Sequence, residues 1–175
     1  MICGQTVALR AIEREDLRSL MDWRNRPEFR RNFREFRELG MADQEAWFER
    51  LTADQRQLMF AVVERNSGEL LGASGLCYID WVSRNCDLSL YIGKDALYID
   101  DTYAPDAART TLRYGFDELG MHRVWVEIYE YDTVKQELLE SLGFKLDGRH
   151  REHHYADGGF HDSLFYGLLA GELRG

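Results

Sequence analysis

Proline is almost absent from this sequence: two residues in 175, at positions 27 and 105. No stretch rich in proline, glycine or serine offers a linker, and no segment repeats. The chain therefore reads as one domain over residues 1–175, long enough to bury a substantial core. Cysteine is sparse too. Cys3, Cys77 and Cys86 are too few and too scattered for a disulfide framework or a zinc knuckle, which fits a reducing cytoplasm. No apolar run is long enough to cross a membrane as a helix. Met1–Gln5 lacks the basic and apolar regions of a secretion signal. The expectation is a cytoplasmic protein with no membrane partner. Positive charge is in deficit, with a net charge of -9. That argues against a general nucleic-acid binder and favours a cationic or neutral small molecule.

What is present is a strand–loop–helix stretch, Asp87 to Leu119, around which the rest is arranged. Asp87–Ile92 is a short run of branched and aromatic residues closed by Gly93, the pattern of a buried strand. An irregular loop follows, residues 94–102. Tyr103–Ala107 then opens a helix to Leu119: Pro105 suits a first turn, and apolar residues at 104, 108, 112, 116 and 119 keep one face inward. The first amides of such a helix have no internal partners and can face a phosphate. A strand–helix unit without any ligand has the same pattern.

The other elements follow from periodicity. Val7–Ile12 alternates like an edge strand, and Glu13–Trp23 has helical spacing at Leu17, Leu20 and Met21, ended ahead of Pro27. Asp43 suits the cap of a helix carrying Ala46, Trp47 and Leu51. Leu58–Glu64, Glu69–Asp80 and Cys86–Ile92 are joined by turns too short for crossovers, so they form an antiparallel meander. Arg123–Tyr129 is a strand lying parallel to Asp87–Ile92. Thr133–Leu142 is a helix capped by Asp132 and closed by Gly143. Phe144–Tyr155 and Phe160–Leu168 pair as a terminal hairpin. The fold is α/β: a mixed sheet, antiparallel in its first half, with parallel strand–helix crossovers around the central strand and a C-terminal hairpin.

Three groupings carry potential chemistry. From Arg24 to Arg37 six arginines stand against two glutamates, interleaved with Phe29, Phe33 and Phe36. This is either a substrate-facing patch or, the reading favoured here, a solvated helix face with the phenylalanines turned inward. His150, His153, His154 and His161 invite a metal, but alternation puts 153 and 154 on opposite faces unless the strand bulges, so none is expected. Cys86 has no histidine nearby in sequence to activate it and reads as packing.

The element order and several motifs resemble the GNAT superfamily of acetyl-CoA-dependent N-acyltransferases. The similarity is to its branch of ribosomal-protein N-terminal and spermidine acetyltransferases. The motifs are Val7-Ala8-Leu9-Arg10 with Glu13–Leu17, then Trp23-Arg24-Asn25. In the stretch Phe116–Tyr166 they are Tyr131-Asp132, Leu142-Gly143-Phe144 and Asp157–Asp162. The resemblance implies that the central strand splays from its parallel neighbour. Pantetheine of acetyl-CoA would lie against Leu90, Tyr91 and Ile92, and the pyrophosphate on the amides of Thr102, Tyr103, Ala104 and on to Asp106, with Arg109 the nearest compensating cation. The family's glycine-rich loop is missing. Asp100 and Thr102 hold its two glycine positions, so with Asp95, Asp101 and Asp106 four aspartates would crowd a dianion. Leu139 stands where the family often has a tyrosine acid.

The implied reaction is direct acyl transfer from acetyl-CoA to a primary amine, small molecule or peptide. It needs a base for the ammonium proton and donors for the oxyanion. Asp87 is the first candidate base, unless it merely pairs with an arginine such as Arg84. Glu127 is the second, and Tyr131, with Tyr129, a substitute acid. A homodimer is compatible with the resemblance. The competing reading is a GNAT-fold binding module that has lost acyl-CoA. The loop 95–106 separates the two, since an enzyme needs its amides free.

Overall fold

Short connections dictate the first half of the sheet. In the computed structural model, which describes residues 1–175, β1 (Ile2–Cys3), β2 (Val7–Ala11), β3 (Leu58–Glu64), β4 (Leu70–Asp80) and β5 (Asn85–Ile92) pair antiparallel, each with the next. A crossover helix, α4 (Tyr103–Arg113), then delivers β6 (Arg123–Tyr129) parallel to β5. This is the one parallel pair in an eight-stranded sheet of order β1-β2-β3-β4-β5-β6-β8-β7. β7 (Lys145–Ala156) and β8 (Gly159–Leu169) form the terminal hairpin, and β8 lies against β6. Their turn is Asp157-Gly158, both at positive φ, the backbone a two-residue hairpin loop requires.

α4 lies close to the sheet because its inner face is small: Ala104, Ala107 and Ala108 are fully buried beside Leu112. The helix expected to run unbroken to Leu119 widens instead. Residues Tyr114–Glu118 form a π-helical turn in which the Leu119 N–H donates to the Tyr114 carbonyl. α5 (Thr133–Leu142) is capped as expected, with Asp132 accepting from the Lys135 amide at 3.3 Å and Gly143 left-handed at φ +103°.

The opposite face of the sheet carries α1 (Leu17–Asn25), α2 (Pro27–Arg30) and α3 (Met41–Ala53), whose core includes Leu17, Leu20, Phe29, Tyr91 and Tyr98. Three expectations are corrected on this face. A 3-10 turn, Arg14–Asp16, precedes α1, fixed by the Arg10–Asp16 ion pair. α3 starts at Met41, and Asp43 reaches back to the Gly40 amide at 2.9 Å from inside the first turn. The basic segment is not one solvated helix face. Only Pro27–Arg30 is helical beyond α1, and residues 31–40 are irregular. Phe29 is buried, Phe33 packs on the Tyr91 and Tyr98 rings, and Phe36 is exposed.

Candidate functional site

β5 and β6 pair only over Asn85–Asp87 with Arg123–Trp125. Beyond Asp87 they splay, and a cavity of about 630 Å³ opens between the sheet and α1 and α3. Asp87, Leu90, Tyr91, Glu127 and Tyr129 line it from the sheet, and Lys135 from α5. Asp87 is the last residue of β5 to pair with β6. Glu127 sits two residues beyond Asp87's partner, Trp125, so the two carboxylates flank the mouth of the splay.

Arg34 bridges them. Its Nη1 is 2.9 Å from Asp87 Oδ2 and its Nε 3.2 Å from Glu127 Oε2. Its guanidinium lies over the rings of Tyr78 and Trp125, at 5.4 and 5.7 Å. Tyr78 is in position because β4 is irregular there: the register with β5 shifts between Cys77 and Asp80, and Tyr78 has φ +51°. The expected alternative partner, Arg84, is not involved, since its Nε donates to the Gly120 carbonyl at 2.6 Å. Burial pushes the Asp87 carboxyl up to about 6, and the Arg34 charge only partly offsets it. Burial also works against the Arg34 charge, but Asp87 and Glu127 hold its pKa above the ordinary value. At neutral pH both members of the pair are therefore ionised.

The other chemical candidates have different surroundings. Tyr131 does not line the cavity; its hydroxyl donates to the Arg31 carbonyl at 2.5 Å, and burial pushes its pKa up to about 12. Tyr129 lines the cavity, stacked on His154 at 3.6 Å between ring centroids. Burial pushes the Cys86 thiol up to about 12, which keeps it protonated. β7 does bulge among the histidines, with the register shifting between His150 and His154 and Glu152 at φ +49°. The side chains engage other groups: His153 bonds Ser163 at 2.9 Å, and His161 meets the Ala156 carbonyl at 3.2 Å.

The resemblance would place an acyl-CoA on the outward backbone of β5 and the first amides of α4. Those groups are satisfied from within the chain. Ile92 N–H donates to Tyr98 O, and Tyr98 N–H to Ile92 O, both at 2.8 Å. The Leu90 carbonyl accepts from the buried Lys135 ammonium at 3.4 Å. Tyr98 is itself buried and donates its hydroxyl to Asp132. At α4 the Asp100 carboxylate accepts from Thr102 N–H at 2.9 Å, Tyr103 N–H at 2.8 Å and Ala104 N–H at 2.8 Å. The next residue, Pro105, has no N–H to offer. A carboxylate of the chain thus caps the first amides of α4. Arg109, expected near the phosphates, points to the C-terminal segment, its Nε 3.4 Å from the Arg174 carbonyl. In this structure, then, the Ile92 backbone, the Leu90 carbonyl and the amides at 102–104 are bonded within the chain.

The expected crowd of four aspartates is also corrected. Asp106 faces away from the loop and accepts from the Gln5, Thr6 and Val7 amides at 3.1, 2.7 and 3.0 Å. The residues that close the groove, Asp100, Tyr98 and Lys135, were recognisable only in part. Asp100 stands in a glycine position of the family's loop, but nothing in the sequence shows Tyr98 or Lys135 turning inward.

Residues 6–145 match the family described as acetyltransferase (GNAT) domain. The chain is 24% identical over 174 residues to the uncharacterized N-acetyltransferase p20 of Bacillus licheniformis, covering 98% of this chain and 97% of that one. It is 23% identical over 164 residues to the spermidine N(1)-acetyltransferase of Escherichia coli K12, covering 94% and 86%. Its fold superposes on the spermidine N-acetyltransferase of Vibrio cholerae, solved with CoA and spermine. The TM-score is 0.88 at 21% identity, over 95% of this chain and 97% of that one.

Proposed function

This chain belongs to the GNAT acetyltransferase family, and from that premise we propose that it keeps the family's small-molecule cavity but no longer binds acyl-CoA. It acts as a GNAT-fold binding module. The observation that carries this reading is the internal capping of the cofactor groove: Asp100 on the α4 amides, Tyr98 on Ile92 and Lys135 on Leu90. A ligand would have to break these bonds before forming its own, and the Asp100 charge would repel its phosphates. Family membership alone does not decide function; the site does.

One observation favours the second reading, acyl transfer from acetyl-CoA to a primary amine. Asp87 is a cavity-lining carboxylate whose proton affinity, about 6, suits a general base near neutrality. Glu127 would assist it, and Asp100 and Tyr98 would first have to leave the groove. Asp87→Asn would then lower turnover at least about tenfold.

Thermal melts of the whole chain with acetyl-CoA, CoA and a phosphate-free thioester separate the two. A cofactor at a hundredfold excess over its dissociation constant adds about 2.7 kcal/mol to the folded state. The binding-module reading expects no shift with any of the three at millimolar concentration. A saturable shift with acetyl-CoA but not with the phosphate-free thioester overturns it in favour of the enzyme.

A further inference from the structure

Gln44 is the one buried residue of α3, 1% exposed, and it lines the cavity. Neither its Nε2 nor its Oε1 has a hydrogen-bond partner. Buried amides are almost always bonded on both sides, so this one presents an unmet donor beside an unmet acceptor. The matching ligand group is another amide.

The charges around the cavity add a second requirement. Every carboxylate lining it already faces a guanidinium: Asp87 and Glu127 share Arg34, Glu35 holds Arg37 at 2.8 Å, and Asp43 lies 4.0 Å from Arg37. No carboxylate remains for an ammonium ligand. Two arginines lining the same cavity are in no ion pair: Arg50 on α3, and Arg24, half-buried on α1 over the Phe33 ring at 5.8 Å and chosen here for its place beside that apolar wall. Leu20, Phe33, Trp47 and Met59 supply apolar wall. The unmet needs are therefore for an anion and an amide on an apolar body.

We propose that the cavity binds a small carboxylate that also carries an amide, of the N-acylamino acid type, with its carboxylate on Arg24 and its amide edge on Gln44. The charge pattern argues against a polyamine. This inference rests on the cavity being a ligand site, and it holds whether or not acyl-CoA also binds.

The test is binding to the whole chain, by thermal melt and calorimetry, of N-acetylleucine. The comparators are 4-methylpentanoate, which lacks the amide, N-acetylleucinamide, which lacks the carboxylate, and spermidine. N-acetylleucine should bind saturably and at least about tenfold tighter than any comparator. Gln44→Met should weaken N-acetylleucine at least about fivefold and leave 4-methylpentanoate unchanged. Without ligand this variant should melt no lower than wild type, because it removes an unpaired buried amide. Arg24→Met should weaken both carboxylates and not N-acetylleucinamide, which keeps the test open if the Gln44 variant folds poorly. Equal response to the four ligands, response to spermidine alone, or no saturable binding of N-acetylleucine by about 10 mM overturns the proposal. So does a Gln44→Met variant that melts several degrees lower yet binds N-acetylleucine as wild type does. Acetyl-CoA in a parallel titration reports on the binding-module reading separately.

Discussion

Ile92 and Tyr98 exchange both of their backbone hydrogen bonds, at 2.8 Å in each direction. The loop after β5 thereby folds back along the strand where the sheet opens, and the chain supplies its own partner to the splayed edge. The Tyr98 ring packs against Phe29, centroids 5.3 Å apart, and its hydroxyl donates to the buried Asp132. Tyr98→Phe removes only that hydroxyl and leaves a buried carboxylate oxygen short of a donor. Urea unfolding should show a loss of about 1–2 kcal/mol. An unchanged stability would mean that Tyr98 is not held in the groove by Asp132.

Asp100 anchors the other half of the groove. Asp100→Ala frees the Thr102, Tyr103 and Ala104 amides and should cost about 1 kcal/mol, read as a melting temperature lower by about 2–4 °C. Asp100→Gly with Thr102→Gly should go further and give the chain measurable affinity for CoA, weakened by salt. A double variant as indifferent to CoA as wild type would show that Asp100 is not what excludes the phosphates.

The Asp87 pKa sets a pH dependence. In the folded protein it is about 6 against an ordinary 3.8, so the folded state holds this proton more tightly. Folding is favoured by that difference at low pH, and the advantage is lost as pH rises from about 4 to about 6. Over that window Asp87 should cost the folded state up to about 3 kcal/mol. Asp87→Asn should abolish this part of the slope in urea denaturation between pH 4 and pH 6. Parallel profiles for wild type and variant would place Asp87 in a solvated site.

Asp106 has the opposite sign. Burial alone would raise its pKa, but the Val7, Gln5 and Thr6 amides hold it below the ordinary value. Its stabilisation is full above about pH 4 and is lost as pH falls through the folded pKa. Asp106→Asn should cost about 2–3 kcal/mol at pH 7, since three amides lose a charged acceptor. A variant as stable as wild type at pH 7 would contradict the role of Asp106 in tying β2 to α4.

Much of this architecture was legible in the sequence because it rests on local rules. Short turns forced the β3–β4–β5 meander, Asp132 and Gly143 marked both ends of α5, and the run from Asp87 to Leu119 set the parallel crossover. The site was legible by position and not by partner. Asp87 and Glu127 could be named from the strands that carry them. Arg34, which joins them, comes from an irregular segment 53 residues away from Asp87 in sequence, where periodicity says nothing. Gln44 is one polar residue among several in the sequence of α3, and only packing shows that it is the buried one. In sequence the aspartates of the loop form a repulsive cluster. In space Asp100 is a cap and Asp106 is a pin on another element.

In this structure the groove is filled by the chain itself. The check is to follow the backbone amide resonances of Ile92, Tyr98, Thr102, Tyr103 and Ala104 while acetyl-CoA is added to the wild-type protein. All five should stay in place at millimolar acetyl-CoA and remain slow to exchange with solvent. Saturable movement of Ile92 together with Tyr103 and Ala104 would show the cofactor displacing Tyr98 and Asp100, and would contradict it.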